Sequence, residues 1–116
     1  MRITRISTFA LALPQTTLIA PWGCQVFKVG GKVFIILSHD GDLAGGISLQ
    51  STPEEFDALV QRDGFIQAPY CAKRLWFRLE DPTLVPGPEL QFLIRRSYDL
   101  VVAKLPKQVE AAIRSA

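Results

Sequence analysis

Arg74, Trp76 and Arg78 alternate with Leu75, Phe77 and Leu79 along one short stretch of the chain. In a strand, that spacing puts the two arginines and the indole on one face and the three apolar side chains on the other. The polar face carries a chemistry suited to a polyanion. Guanidinium groups pair with phosphate oxygens, and an exposed indole stacks on a base for about 1–3 kcal/mol. Lys73 adds charge beside this stretch, and Lys28 and Lys32 flank the glycine pair Gly30-Gly31. The candidate nucleic-acid-binding set is therefore Lys28, Lys32, Lys73, Arg74, Trp76 and Arg78. A competing reading packs Trp76 under a C-terminal helix and leaves both arginines as solvated charges. Arg95, Arg96 and Lys104 read as the solvated face of that helix.

Other reactive residues do not assemble into a known chemistry. Lys32 after Gly30-Gly31 fails as a phosphate loop, because Val26 stands where the first glycine is required and Val33 where Ser or Thr must follow. Asp40-Gly41-Asp42 begins like a calcium loop, but Ala44 takes a ligand position and Ser51 replaces the final glutamate. His39 is the single histidine, and neither Cys24 nor Cys71 stands at a spacing that makes it a nucleophile with this base. Two cysteines and one histidine fall short of a zinc site. No catalytic, metal-binding or cofactor-binding residues are assigned, and the chain is expected not to be an enzyme.

The totals fit one domain spanning residues 1–116. At this length, folding buries roughly 65% of the unfolded surface, enough for one core without metals or disulfides. Hydrophobic residues make up 48% and charged residues 21%, which excludes a disordered chain. No stretch approaches the ~20 apolar residues that cross a bilayer. The N-terminus loosely imitates an export signal, but its apolar run is too short. Ile3, Ile6, Ala10 and Leu13 instead fall at helical spacing, so a retained amphipathic helix is expected. Two cysteines without a disulfide framework fit free thiols and a cytoplasmic location.

Net charge is only +2, too little to imply a polyanion partner by itself. Its distribution is uneven. Residues 1–39 hold Arg2, Arg5, Lys28 and Lys32 and no acid, whereas residues 40–63 hold six acids against Arg62. Such segregation gives a folded domain a basic and an acidic side.

The elements that must position these residues follow from local chemistry. Val26-Phe27-Lys28-Val29 and Lys32-Val33-Phe34-Ile35-Ile36-Leu37 meet at Gly30-Gly31, which takes positive φ at both central positions of a type I′ hairpin. A first helix over Ile3–Leu13 stops before Pro14, and Thr16–Ala20 reads as a strand. His39 to Gly46, with three glycines, reads as a flexible connection before Ile47-Ser48-Leu49 resumes the sheet. Thr52-Pro53-Glu54-Glu55 is a helix start with a capping box, carrying Phe56, Leu59 and Val60, and Asp63-Gly64 ends it. Leu90, Leu93, Ile94, Val101, Val102 and Leu105 form the stripe of a helix over Glu89–Leu105, and Pro106 opens a last helix with Val109 and Ile113. Trp22, Phe27, Phe34, Phe77 and Tyr98 are expected in the core. The order predicts an α+β domain, a mainly antiparallel sheet with helices packed on it.

Several segments, in this order and spacing, resemble the MmcQ/YjbR-like family: Ala12 to Pro14, Trp22-Gly23, Phe27 to Phe34, Ser48 to Val60, Ala68 to Tyr70, Trp76 to Leu79 and Arg95 to Lys107. The resemblance implies a small CyaY-like α/β sandwich and a double-wing DNA-binding arrangement in which hairpins act as wings. It carries no catalytic residue set. Gln15 stands where that family commonly has a turn glycine, Leu18 and Ile19 where it is often acidic, and Gln50 where lysine is expected. The expected function is a non-enzymatic DNA-binding module. The alternative is a protein- or small-ligand-binding module that never meets DNA, marked by an exposed apolar patch.

Overall fold

The structure is a computed structural model that describes residues 2–21, 23–69 and 75–115. Its elements run α1 (Ile3–Leu11), β1 (Thr16–Ile19), β2 (Cys24–Val29), β3 (Lys32–Asp40), β4 (Leu43–Gln50), α2 (Pro53–Leu59), β5 (Phe65–Gln67), β6 (Trp76–Leu79), a 3₁₀ turn (Pro82–Leu84), α3 (Gly87–Ala103) and α4 (Lys107–Arg114). The six strands form one antiparallel sheet in the order β1-β2-β3-β4-β6-β5.

Gly30 and Gly31 take φ values of 58° and 78°, and Val29 pairs with Lys32, so the β2–β3 hairpin closes on the expected two-residue turn. The next connection departs from expectation. Asp40 pairs with Leu43 across a two-residue turn at Gly41-Asp42, and Gly45 and Gly46 lie inside β4. Gly46 leaves room for the Arg78 side chain, and Gly45 faces the Ser38 backbone where the register shifts. This turn takes positive φ at one residue, Gly41 at 58°.

Paired residues on adjacent strands share a face. Leu18, Phe27, Ile35, Leu49 and Phe77 make one inner row, and Leu37, Ile47, Leu79 and Phe65 make the next. The helices add Ile6 and Ala10 from α1, Phe56 from α2, six apolar residues of the α3 stripe and Ile113 from α4 to this one cluster. Burying each large apolar side chain there contributes about 1.5–3 kcal/mol. The last helix carries Val109 and Ile113 as expected; Ile113 joins the core and Val109 is 38% exposed. α2 ends at Leu59, before the Asp63-Gly64 pair, and β5 adds a short edge strand that no periodicity announces.

A register shift between Phe27 and Lys28 leaves Phe34 as an extra residue on β3. Ser97 of α3 closes the gap. Its hydroxyl donates to the Phe34 carbonyl at 2.6 Å and accepts from the Gln50 amide at 2.9 Å, so one buried side chain satisfies two backbone groups. Beside it, Tyr98 meets Phe34 edge-on at 5.4 Å and donates its hydroxyl to the Pro14 carbonyl at 2.7 Å. That bond holds the α1–β1 connection, where Gln15 sits at φ 61° in the left-handed region. Thr52 and Glu55 form both bonds of the expected capping box.

Candidate nucleic-acid interface

The helices cover one face of the sheet, and the other carries the candidate residues. One outer row crosses all six strands: Ile19, Val26, Ile36, Ser48, Arg78 and Ile66. Beside it, Thr17, Lys28 and Val33 share a row, and Trp76, two residues before Arg78 on β6, projects to the same face. Val26, Val33, Ile36 and Trp76 are half-buried and stand outside the core cluster. Trp76 therefore does not pack under α3, which lies on the opposite face.

Arg78 is held flat. A Cβ built on Gly46 would lie 2.2 Å from the guanidinium carbon, so the head group rests directly over that glycine. Its Nη1 donates to the Ser38 hydroxyl at 3.4 Å, a long hydrogen bond to an uncharged acceptor. Lys28 and Arg78 are both half-buried. Among the described residues, neither has a carboxylate within ion-pair distance. Three strand spacings and two residues along the strand separate them by about 16 Å. Between them run Val33 and Ile36.

The remaining candidates divide differently. Lys73 and Arg74 lie outside the described residues, as do Cys71 and Trp22. Lys32 is on the wrong face for the proposed set. Because Val29 pairs with Lys32, the lysine follows Val29 to the helix-covered side. There it lines a recess of about 140 Å³ with Gln50, Val101 and Lys104. Gln50 accepts from the Lys104 ammonium at 3.2 Å, where a lysine would have added a third positive charge. The sequence contained the signal for this placement, since a two-residue turn fixes which flanking positions pair.

The helix-side arginines are occupied. Arg62 grips Glu89 through two bonds of 2.6 and 3.1 Å, Arg96 reaches Glu55 at 3.0 Å, and Arg95–Asp99 and Arg114–Glu110 are one-turn pairs within their helices. Burial pushes the Glu55 carboxyl up, but the Thr52 amide and the Arg96 guanidinium together outweigh it and hold the group below its ordinary value. The Arg62 hydrogen bonds lower Glu89 likewise. His39 places Nδ1 3.1 Å from the Gly41 carbonyl, and the Cys24 thiol donates to the Pro21 carbonyl. Among the described residues no cluster of three or more potential ligands could hold a metal ion, and no helix is long and apolar enough to cross a membrane.

An α+β domain with one antiparallel sheet, helices on one face and cations on the other is the class these observations define. The YjbR family model matches residues 11–100. The chain is 33% identical over 110 residues to the uncharacterized protein YbdF of Escherichia coli O157:H7, covering 90% of this chain and 88% of that one. It belongs to the YjbR family. Two solved structures share the fold. Deinococcus radiodurans protein DR2400, with a DUF419 domain, superposes with a TM-score of 0.85 at 23% identity, covering 97% of this chain and 87% of its own. A Pseudomonas syringae protein gives a TM-score of 0.70 at 22% identity, with coverage of 86% and 98%.

Proposed function

We propose that this domain is a non-enzymatic, cytoplasmic DNA-binding module of the double-wing type. The β2–β3 and β3–β4 hairpins that would be its wings build much of the open sheet face. The observation that carries this reading is two half-buried cations on one face, Lys28 and Arg78, neither with a carboxylate among the described residues, with Trp76 beside Arg78 on β6. A cation partly removed from water and left unpaired is unfavourable until an anion arrives. Phosphates supply that anion, and Trp76 supplies a stacking surface. Lys73 and Arg74 flank Trp76 in sequence and would extend the charge; Lys32, on the other face, would not.

Titration with short single-stranded and duplex DNA at low ionic strength tests the reading. Binding without sequence preference is expected with Kd on the order of 10⁻⁴–10⁻⁶ M at physiological salt, and tighter below it. Loss of most of that affinity in Lys28→Ala/Arg78→Ala is the expected companion result. No binding to either form of DNA at low salt would remove it.

One observation favours the second reading, a protein- or ligand-binding module. Val26, Val33 and Ile36 form an apolar centre on the same face, between exposed Ile19 and Ile66. In that case DNA affinity is absent, and Arg78→Ala leaves partner binding unchanged.

A further inference from the structure

What projects from the open face decides which form of DNA it suits. Proteins that read a duplex place a helix or a two-stranded ribbon into a groove. Here α3 lies on the far side of the sheet. Both described hairpin tips are tied toward the helices. Gly30 rests on Leu105, close enough that a Cβ would lie 2.6 Å from its methyl carbon. The Gly41-Asp42 tip is fixed by the Ile3 amide, which donates to the Asp42 carbonyl at 2.9 Å. This second tip also carries Asp40 and Asp42, whose charges repel phosphate. Arg78, lying over Gly46, does not project as a groove-reading arginine would.

Among the described residues, then, a duplex meets this surface through its phosphates. A single strand can do more. Its splayed bases can stack on the indole of Trp76 and cover the apolar centre at Val26, Val33 and Ile36, while its phosphates reach Arg78 and Lys28. We propose that the open face is built for single-stranded rather than duplex DNA. This rests on the DNA-binding reading and narrows it.

The test compares an oligothymidylate of about twelve nucleotides, within the span one small domain covers, with a duplex of the same length at low salt. The single strand should bind at least about tenfold more tightly, the gain from stacking one base. In Trp22→Phe, which leaves Trp76 as the remaining indole, the single strand should quench fluorescence and the duplex should not. Trp76→Leu should bring the two affinities within about twofold, with far-UV circular dichroism unchanged. Trp76→Phe, which keeps a ring, should retain an intermediate preference. Equal or tighter duplex binding, or a single-strand preference that survives Trp76→Leu without quenching, would overturn the single-strand proposal and leave DNA binding standing. Failure of both probes to bind would remove the two together.

Discussion

The two faces of the sheet treat arginine in opposite ways. On the helix side Arg62, Arg95, Arg96 and Arg114 each hold a carboxylate. On the open face Arg78 lies half-buried over Gly46, and among the described residues a serine hydroxyl is its one hydrogen-bond partner. Arg2 and Arg5 also make no ion pair among the described residues, but both project into water, where an unpaired charge costs little. Half-burial without a counter-charge is a different condition. It separates a face whose interactions are completed within the fold from one left incomplete. Changes on the first should cost stability, and changes on the second should cost binding.

The largest expected effect is on the completed side. Phe77→Ala empties a fully buried site in the inner row and should destabilise the domain by about 3–5 kcal/mol in denaturant unfolding. Its neighbours in the same strand, Trp76 and Arg78, should tolerate truncation to within about 1 kcal/mol. Ser97→Ala comes next. It strips the Phe34 carbonyl and the Gln50 amide of their shared partner and should cost about 2–3 kcal/mol by the same measurement.

Gly46→Ala sharpens the contrast from the other side. The new methyl would collide with the guanidinium, so Arg78 must lift away. Stability should change by less than about 1 kcal/mol, because the displaced group is the end of a flexible chain. DNA affinity should fall by about tenfold, as for a lost charge-assisted contact.

The smallest effect is on pH. The carboxyls of Glu55 and Glu89 titrate below their ordinary value in the fold. Their contribution is complete above the unfolded value of about 4.3 and is lost as pH falls through the lower folded values. Both pairs are partly exposed, so less than about 1 kcal/mol each is at stake. Thermal melts between pH 5 and pH 3 should fall less steeply for Glu55→Gln and Glu89→Gln than for the parent chain.

Much of this architecture was legible because local chemistry decided it. Gly30-Gly31 allows the tight hairpin, Thr52-Pro53-Glu54-Glu55 caps a helix whatever surrounds it, and the α3 stripe has enough turns to show its period. Gly45-Gly46 was misread because paired glycines usually mark a loop. Here Gly46 answers to Arg78, a residue remote in sequence. Phe65–Gln67 is too short to show a period and becomes a strand only because β6 lies beside it. Of the candidate site, the Trp76–Arg78 alternation was readable directly. The pairing of Val29 with Lys32 was readable too, and it would have separated Lys32 from Lys28. What no local pattern contained was the seat of Arg78 over Gly46 and its lack of a counter-charge among the described residues, since both depend on which strands become neighbours.

The salt dependence of single-stranded DNA binding puts the open face to its most direct trial. Each cation that neutralises a phosphate contributes about 0.7 to the slope of log affinity against log salt concentration. The slope should shrink by about that amount in Arg78→Ala and again in Lys28→Ala, while Lys32→Ala keeps the parent slope. A parent slope that Arg78→Ala leaves untouched, or a loss that falls on Lys32→Ala instead, would contradict the assignment of binding to this face.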